Sequence, residues 1–423
     1  MKIKKQDKII KKHWGKINPM MIESYMAKGG YKQFLSLVEQ GKTRDQVLEI
    51  VEESGLQGRG GASFPTGKKW RAADESSQKT GKSPFFIVNA DESQPGTFKD
   101  RLIMENNPHL AIEGALIGAY AVGAGKIFIY VNGKYVEQLR IMERAAEQAR
   151  EKILTKASLA GLKKKIKLQV VQGAGGYIYG EETTLINSLE GWRGEPREKP
   201  PFPPVQGLFS RPTIVNNLET IANLPFIIKA GVKKFRELGT KESPGTKLFT
   251  VLGAVKSEGV YEFGLGIKIK ELLEACGGLE KGKELAQVQV GGIGNFFGPK
   301  QLNVRLTLED GPGRISAGLG NVFVMDTGMQ IEDLLLSWAE FYKRESCGKC
   351  APCREGNYQL LKIAERFKQG KTLENDWENI RAIIEVLEKT SFCALGKFAA
   401  SHWKTVIKIY RKKFFAHDKT KDK

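Results

Sequence analysis

Apolar residues recur at helical spacing through the first part of the chain, where "PMMIESYMAKGGYKQFLSLVEQG" carries two helix-like stripes around a Gly-Gly break. Residues 1–55 are therefore expected to form a helical covering segment. The pattern stops at "GLQGRGGASFPTGKKW", residues 55–70, whose glycines resist regular helix or strand and suit backbone brought close to a ligand. "SPFFIVNADE" reads as an apolar strand ending in polar residues, "NPHLAIEGALIGAYAVGAG" as a helix and "KIFIYVNG" as a second strand. That order predicts a parallel α/β sheet. A charged helix from about Lys134 to Thr155 leads into "KIKLQVVQGAGGYIYGEETTLINSLEG", read as strand, glycine loop and helix. "PREKPPFPPVQG", residues 196–207, is too rich in proline for regular structure and should be a stiff surface loop.

From about Lys247 to Asp326 the pattern changes to short strands, "KLFTVLGAV", "GVYEF" and "AQVQVGG", around a helix "IKELLEACGG", which predicts a small α+β unit. From Gln330 onward "IEDLLLSWAEFYKRE", "NYQLLKIAERFKQG" and "WENIRAIIEVLEKT" predict an antiparallel helical bundle. A length of 423 residues exceeds what one core usually organises, which agrees with several domains. No stretch approaches the ~18 uninterrupted apolar residues of a membrane span, so no direct membrane insertion is expected. The basic N-terminus lacks the apolar run of a secretory signal, and the expected location is the cytoplasm.

A net charge of +19 raises the question of nucleic acid. The lysines, however, sit in short runs along the whole chain: Lys4-Lys5, Lys11-Lys12, Lys163 to Lys165, Lys233-Lys234 and Lys412-Lys413. No aromatic stacking set lies among them, so the excess reads as solvated surface, with no nucleic-acid partner.

The cysteines are more specific. Cys347, Cys350 and Cys353 in "CGKCAPC" are followed after 39 residues by Cys393, and C-x-x-C-x-x-C with a remote fourth cysteine is a spacing that holds a [4Fe-4S] cluster. Structural zinc more often takes two separated C-x-x-C pairs, with or without histidine. The helix after Arg354 is expected to aim N–H groups at the cluster sulfurs. Cys276, in "LLEACGG", reads as a small buried apolar residue at a helix end. The glycine loop near residue 60 is ambiguous alone, since it serves equally as a structural turn; Lys69 and Phe64 beside it strengthen a ligand reading. In "GAGGYIYGEETT" glycine N–H groups and a helix N-terminus are expected to form an anion site. Glu181 and Glu182 there could equally stabilise the helix. Asn89, Asp91 and Glu92 follow the end of a strand, where open α/β sheets bind ligands.

"GRGGASFPTG", "NADESQPGTFKDR", "GGYIYGEETTLINSLEG", "KPPFPP", "TIVNNLET" and "ESCGKCAPCREG" with "CALG" occur in this order. Together they resemble the flavin- and NADH-binding (F-type) subunit of complex I type NADH-quinone oxidoreductases. The resemblance implies a Rossmann-like FMN domain over 56–240, a ubiquitin-like β-grasp domain over 241–328 and a helical bundle with the [4Fe-4S] cluster over 329–423. It implies hydride transfer from NADH to FMN, with no catalytic acid or base, and release of single electrons to the cluster and on toward quinone. It places the cofactors on Gly58, Arg59, Gly60, Gly61, Phe64, Lys69, Asn89, Asp91, Glu92, Gln94, Gly176, Tyr177, Gly180, Glu181, Glu182, Lys199, Phe202, Asn216, Asn217 and Thr220. Phe64 and Phe202 are implied to stack on the adenine, and Gln94 and Glu92 to tune the flavin. The implied partners are a thioredoxin-like [2Fe-2S] protein (the E-type subunit) and a multi-cluster iron-sulfur protein of the same complex, at the inner face of the cell membrane. The diaphorase component of NAD-linked hydrogenases or formate dehydrogenases is similar across the same motifs. The chain departs from the family at Ser63, where Gly is usual, at Tyr179 in place of Cys, at Ala72 in place of an aromatic, and at Gln94 in place of an acid.

Overall fold

A computed structural model of the chain describes residues 8–292 and 294–415; Lys4 and Lys5 lie outside them. Four strands, β1 (Phe85–Ala90), β2 (Lys126–Val131), β3 (Lys167–Gln172) and β4 (Thr213–Asn217), form a wholly parallel sheet in the order β3-β2-β1-β4. The two central strands, β1 and β2, and the edge strand β4 are buried almost throughout, as their apolar runs require. The chain runs outward from β1 through β2 to β3 and then returns to the other side of β1 as β4. The strand order therefore reverses between β1 and β4, which is where such sheets open a ligand crevice at their carboxyl ends. The register sets Asn89 beside Asn217 at that edge.

Helices Ile22–Met26, Lys32–Glu39 and Arg44–Ser54 cover this sheet and bury Ile22, Tyr25, Phe34, Leu48 and Val51 in its core. The first described residues are tied elsewhere. The backbone N–H groups of Ile9, Ile10 and Lys11 donate to the Glu262 carboxylate at 2.8, 3.0 and 2.8 Å. A helix over Thr66–Thr80 was not predicted; its polar composition hides a stripe that buries Trp70 and Ala73. The charged helix runs Val136–Gln148, continues as a π-helical turn over Ala149–Leu154 and ends at Leu159. No helix or strand occurs over 196–207, as the prolines require.

The second unit contains β5 (Thr246–Gly253), β6 (Gly259–Gly264), β7 (Ile267–Lys268), β8 (Leu285–Val290), β9 (Asn295–Phe297), β10 (Arg305–Thr307), β11 (Arg314–Ser316) and β12 (Asn321–Asp326). Its main sheet has the order β6-β5-β12-β8-β9, with β5 and β12 parallel in the middle, and helix Ile269–Ala275 shares its core. This is a β-grasp arrangement. Cys276 caps that helix fully buried, as expected. Helices Ile331–Glu345, Ala351–Lys368, Asp376–Thr390 and Ala394–Phe414 form the bundle around Leu335, Leu360, Ile380, Leu387, Trp403 and Val406.

Candidate flavin and iron-sulfur site

A cavity of about 250 Å³ occupies the crevice. Ten of the residues placed on cofactors from the sequence line it: Gly60, Gly61, Asn89, Asp91, Glu92, Gln94, Tyr177, Gly180, Glu181 and Asn217. Gly61 adopts φ 108°, and a Cβ on Gly60 would lie 2.9 Å from the Asn217 Cβ, so both positions need glycine. Asn89 Nδ2 donates to the Gly180 carbonyl at 3.1 Å, and its Oδ1 accepts from the Asp91 N–H at 3.0 Å. Asp91 Oδ1 accepts from Ser93 and Asn132 at 2.9 and 2.8 Å, while its Oδ2 is buried without a partner. Burial pushes the Asp91 carboxyl up to about 6. Thr97 Oγ1, in the same lining, is likewise buried and unpartnered.

Glu92 has a structural task besides facing the cavity. Its two oxygens accept from the N–H groups of Asp100 and Arg101, both at 3.0 Å, and hold the start of helix Lys99–Asn106. Burial, and then Asp100, push it up to about 7. Gln94 Nε2 donates to the Gly292 carbonyl at 3.2 Å, and its side chain also borders a second cavity of about 240 Å³ among the three units.

The helix N-terminus in "GAGGYIYGEETT" is not open to an anion. Glu181 Oε2 accepts from the N–H groups of Thr183 and Thr184 at 2.9 and 2.8 Å, so the start of helix Glu182–Leu189 is already filled by a carboxylate. Burial raises the Glu181 carboxyl, but Lys199 and these hydrogen bonds overturn that and hold it below its ordinary value. Lys199 Nζ joins Glu181 at 2.8 Å and Glu182 at 3.1 Å, and Lys69 Nζ stands 3.5 Å from Glu182. Lys69, Glu182 and Lys199 are absent from the cavity lining but adjoin it, Lys199 through the lining residue Glu181, and the Lys69 ammonium stands over the Phe64 ring; Phe64 and Phe202 are 53% and 54% exposed.

Four expected residues lie behind the lining. The Arg59 side chain turns away, fully buried, and donates from Nε to the Thr246 carbonyl at 3.1 Å and from Nη2 to the Pro244 carbonyl at 2.7 Å. It ties the glycine loop to the β-grasp unit and is not a cofactor contact through its side chain. Thr220 Oγ1 accepts from the Arg59 N–H at 2.8 Å, Asn216 Oδ1 from Trp70 Nε1 at 2.7 Å, and the Gly58 N–H donates to the Phe64 carbonyl at 2.9 Å. Each shapes the loop or the strand end. Gly176 packs beside Glu345 and Tyr179 and is outside the lining. The lining also takes Gly291, Gly318 and Leu319 from β-grasp loops and Cys393, Ala394, Leu395 and Phe398 from the bundle, none of them but Cys393 singled out from the sequence.

Ser63 adopts φ 53° with its Oγ buried and unpartnered. A non-glycine residue there costs ~1–2 kcal/mol, against ~0.5–1 kcal/mol for the greater unfolded-state freedom of glycine. Ser63→Gly is therefore expected to stabilise the flavin unit by about 0.5–1 kcal/mol, read as a higher denaturation midpoint.

Cys347, Cys350, Cys353 and Cys393 line one small pocket with Ile178, Pro196, Ser346, Lys349, Phe392 and Leu395. Among the described residues no three His, Cys, Asp or Glu side chains close around a single metal ion. Four thiols spaced around a common pocket instead suit a cubane, whose iron corners stand apart. Ala351–Lys368 begins before Arg354, not after it, so Cys353 lies within the first helical turn; Cys393 stands at the N-cap of Ala394–Phe414. Cys350 is the N-cap of Ala351–Lys368, so three of the four cysteines, Cys350, Cys353 and Cys393, sit at positive helix ends. Asn357 Nδ2 lies 3.3 Å from the Cys353 sulfur and donates to it. Burial pushes the Cys393 thiol up to about 11, so iron must displace its proton on binding. The two cavities share Ile178, Cys393 and Leu395.

Unpaired polar atoms beside a glycine cradle fit a flavin, and four cysteines around one pocket fit [4Fe-4S]. Together they define an electron-transferring flavoprotein with an iron-sulfur outlet. Comparison with known proteins agrees: the "Nuo51 FMN-binding domain" family matches residues 51–226, the "SLBB domain" 248–294, and the "NADH-ubiquinone oxidoreductase-F iron-sulfur binding region" 333–417. The NADH-quinone oxidoreductase F subunit of Aquifex aeolicus is 41% identical over 379 residues, covering 89% of this chain and 87% of the relative. The F subunit of the Mycobacterium bovis enzyme is 40% identical, covering 97% and 93%. A solved NAD+-reducing [NiFe]-hydrogenase superposes with TM-score 0.84 at 34% identity over 93% of this chain, which spans 65% of that chain's length. The chain belongs to the family of NADH-quinone oxidoreductase F subunits. FMN, [4Fe-4S] and NADH are its cofactors and substrate.

Proposed function

We propose that this chain oxidises NADH in the β1–β4 crevice and passes single electrons across the wall of Ile178, Cys393 and Leu395 to the cysteine-bound cluster. That shared wall is the observation that carries the reading. Bound FMN supplies the chemistry, accepting a hydride and yielding electrons one at a time. Gly60 and Gly61 admit the cofactor closely, Asp91 Oδ2 and Thr97 Oγ1 are free to hydrogen-bond it, and Asn89 and Asn217 fix the strand ends beneath it. Lys69, Glu182 and Lys199 frame the dinucleotide, and Phe64 and Phe202 stack on its adenine. Residues 56–240, 241–328 and 329–423 are the corresponding domains, preceded by the covering segment 1–55. Exposed Phe392, with the Lys349 ammonium over its ring, borders the cysteine pocket and offers a place for an acceptor to approach. A thioredoxin-like [2Fe-2S] protein and a multi-cluster iron-sulfur protein are the proposed partners, with the assembly at the inner membrane face. Among the described residues no helix is long and apolar enough to cross a membrane.

NADH should bleach the flavin of the purified protein and drive ferricyanide reduction; protein that takes up FMN but is not reduced by NADH would refute the reading. Stacking of a base on an aromatic is worth ~1–3 kcal/mol. Phe202→Ala is therefore expected to raise KM for NADH about tenfold with little change in kcat, in steady-state assays. The hydrogenase likeness supports one second reading, a diaphorase feeding or drawing on another redox enzyme. Copurification with quinone-reducing proteins or with a [NiFe] protein decides between them.

A further inference from the structure

An ionic cluster with no exposed surface lies beneath the crevice, outside the roles assigned above. The Lys99 ammonium is 2.8 Å from Asp100 Oδ1, 2.9 Å from Glu219 Oε2 and 3.3 Å from Asn217 Oδ1. Lys247 Nζ, from β5, reaches Glu219 Oε2 at 3.3 Å and the Arg59 carbonyl at 3.1 Å. The side chains of Lys99, Glu219 and Lys247 are 0% exposed. Asp100 and Asn217 both line the cavity, and Asn217 Nδ2 donates to Asp100 Oδ2 at 2.8 Å. Lys99 is thus one side chain away from whatever the cavity holds, in a setting too buried for bulk solvent to screen it.

Buried ion pairs are poor stabilisers, since well-packed apolar residues of the same volume often serve the fold as well or better. A cluster of this kind directly under a site needs a reason beyond stability. Burial alone would lower the Lys99 ammonium, but Asp100, Glu219 and Glu92 overturn that and raise it, so the cation is permanent at neutral pH. A flavin gains negative charge on two-electron reduction. A cation nearby, paired with Asp100 and Glu219 but shielded from bulk water, therefore acts unequally on its two redox forms.

We propose that Lys99 is a positioning residue for the flavin, fixing Asp100 and Asn217 at the cavity floor while its buried charge favours the reduced cofactor over the oxidised one. This rests on FMN occupying the crevice. The test is a spectroelectrochemical titration of the bound flavin in the holoprotein, in Lys99→Met and in Asp100→Asn. Lys99→Met is expected to weaken the preference for reduced over oxidised FMN about tenfold, which lowers the two-electron midpoint by about 30 mV. Asp100→Asn, which keeps the cation and removes its nearest counter-charge, should shift the midpoint upward. A merely structural role would move both variants the same way. No shift, or shifts of the same sign, overturns the proposal while leaving the crevice assignment intact. If Lys99→Met does not fold, the sign in Asp100→Asn decides, and a fall or no change overturns it. A wild-type protein that holds no FMN instead removes the crevice assignment itself.

Discussion

Replacing Cys393 by serine is expected to abolish or change the cluster's paramagnetic signal in the NADH-reduced or dithionite-reduced protein, and to do so more completely than any other single substitution at the site. Cys393 is the one of the four cysteines remote in sequence, so the C-x-x-C-x-x-C loop cannot replace it by a small adjustment of its own backbone. A serine hydroxyl is a harder and far less acidic donor than a thiol, and one iron corner loses its soft ligand. Because Cys393 lines the flavin cavity as well as the cysteine pocket, the same change should slow passage of electrons out of reduced flavin while NADH still bleaches it. Cys276→Ser is the matched control. Its sulfur lies in the β-grasp core, so a hydroxyl there costs ~1–3 kcal/mol in stability and leaves the cluster signal as it was. An unchanged iron content and spectrum in Cys393→Ser would remove it as a ligand.

What the sequence made legible follows from how locally each feature is encoded. The parallel sheet was readable because buried strands are apolar throughout, as in "FFIV" of β1 and "IFIYV" of β2. The gathering of Cys347, Cys350, Cys353 and Cys393 around one pocket was readable because their spacing is itself the signal. Helix Thr66–Thr80 was not, since Lys68, Lys69, Arg71, Asp74 and Glu75 mask the stripe through Trp70 and Ala73, and its burial comes from packing on the sheet. The helix start expected to take an anion is taken by its rival, an acid serving its own helix: Glu181 is attached to that helix start and reaches it ahead of any ligand. Arg59 stands among ligand-binding glycines, and nothing local says that its guanidinium turns toward carbonyls more than 180 residues away. Leu319 and Phe398 reach the crevice from other units and are ordinary in sequence, so only tertiary structure could add them to the lining.

Gln94→Glu is expected to lower the flavin midpoint by some tens of millivolts and to weaken nucleotide binding. Gln94 lines the crevice, is 9% exposed, and donates its amide hydrogen to the Gly292 carbonyl. A carboxylate at this position cannot donate, so it loses that bond and meets a carbonyl oxygen instead, which costs ~1–3 kcal/mol for a group left buried and unpaired. Its charge also opposes the anionic nucleotide and the charge gained by the flavin on reduction. Two unit charges ~5 Å apart at an effective dielectric of ~20 repel by about 3 kcal/mol, an upper bound because water in the crevice screens them. For a two-electron couple ~1.4 kcal/mol corresponds to about 30 mV, so tens of millivolts is the scale and the sign is downward. Burial raises the pKa of a carboxyl, so the new Glu is neutral at low pH and ionised above its raised value. The difference from the natural chain should accordingly be small at acid pH and grow as pH rises through that value, which distinguishes charge from a change of shape. Redox titrations of both proteins across pH, with NADH and NAD+ affinities measured alongside, check this. A midpoint in Gln94→Glu equal to or above that of the natural chain at every pH would place the residue 94 side chain out of electrostatic reach of the flavin.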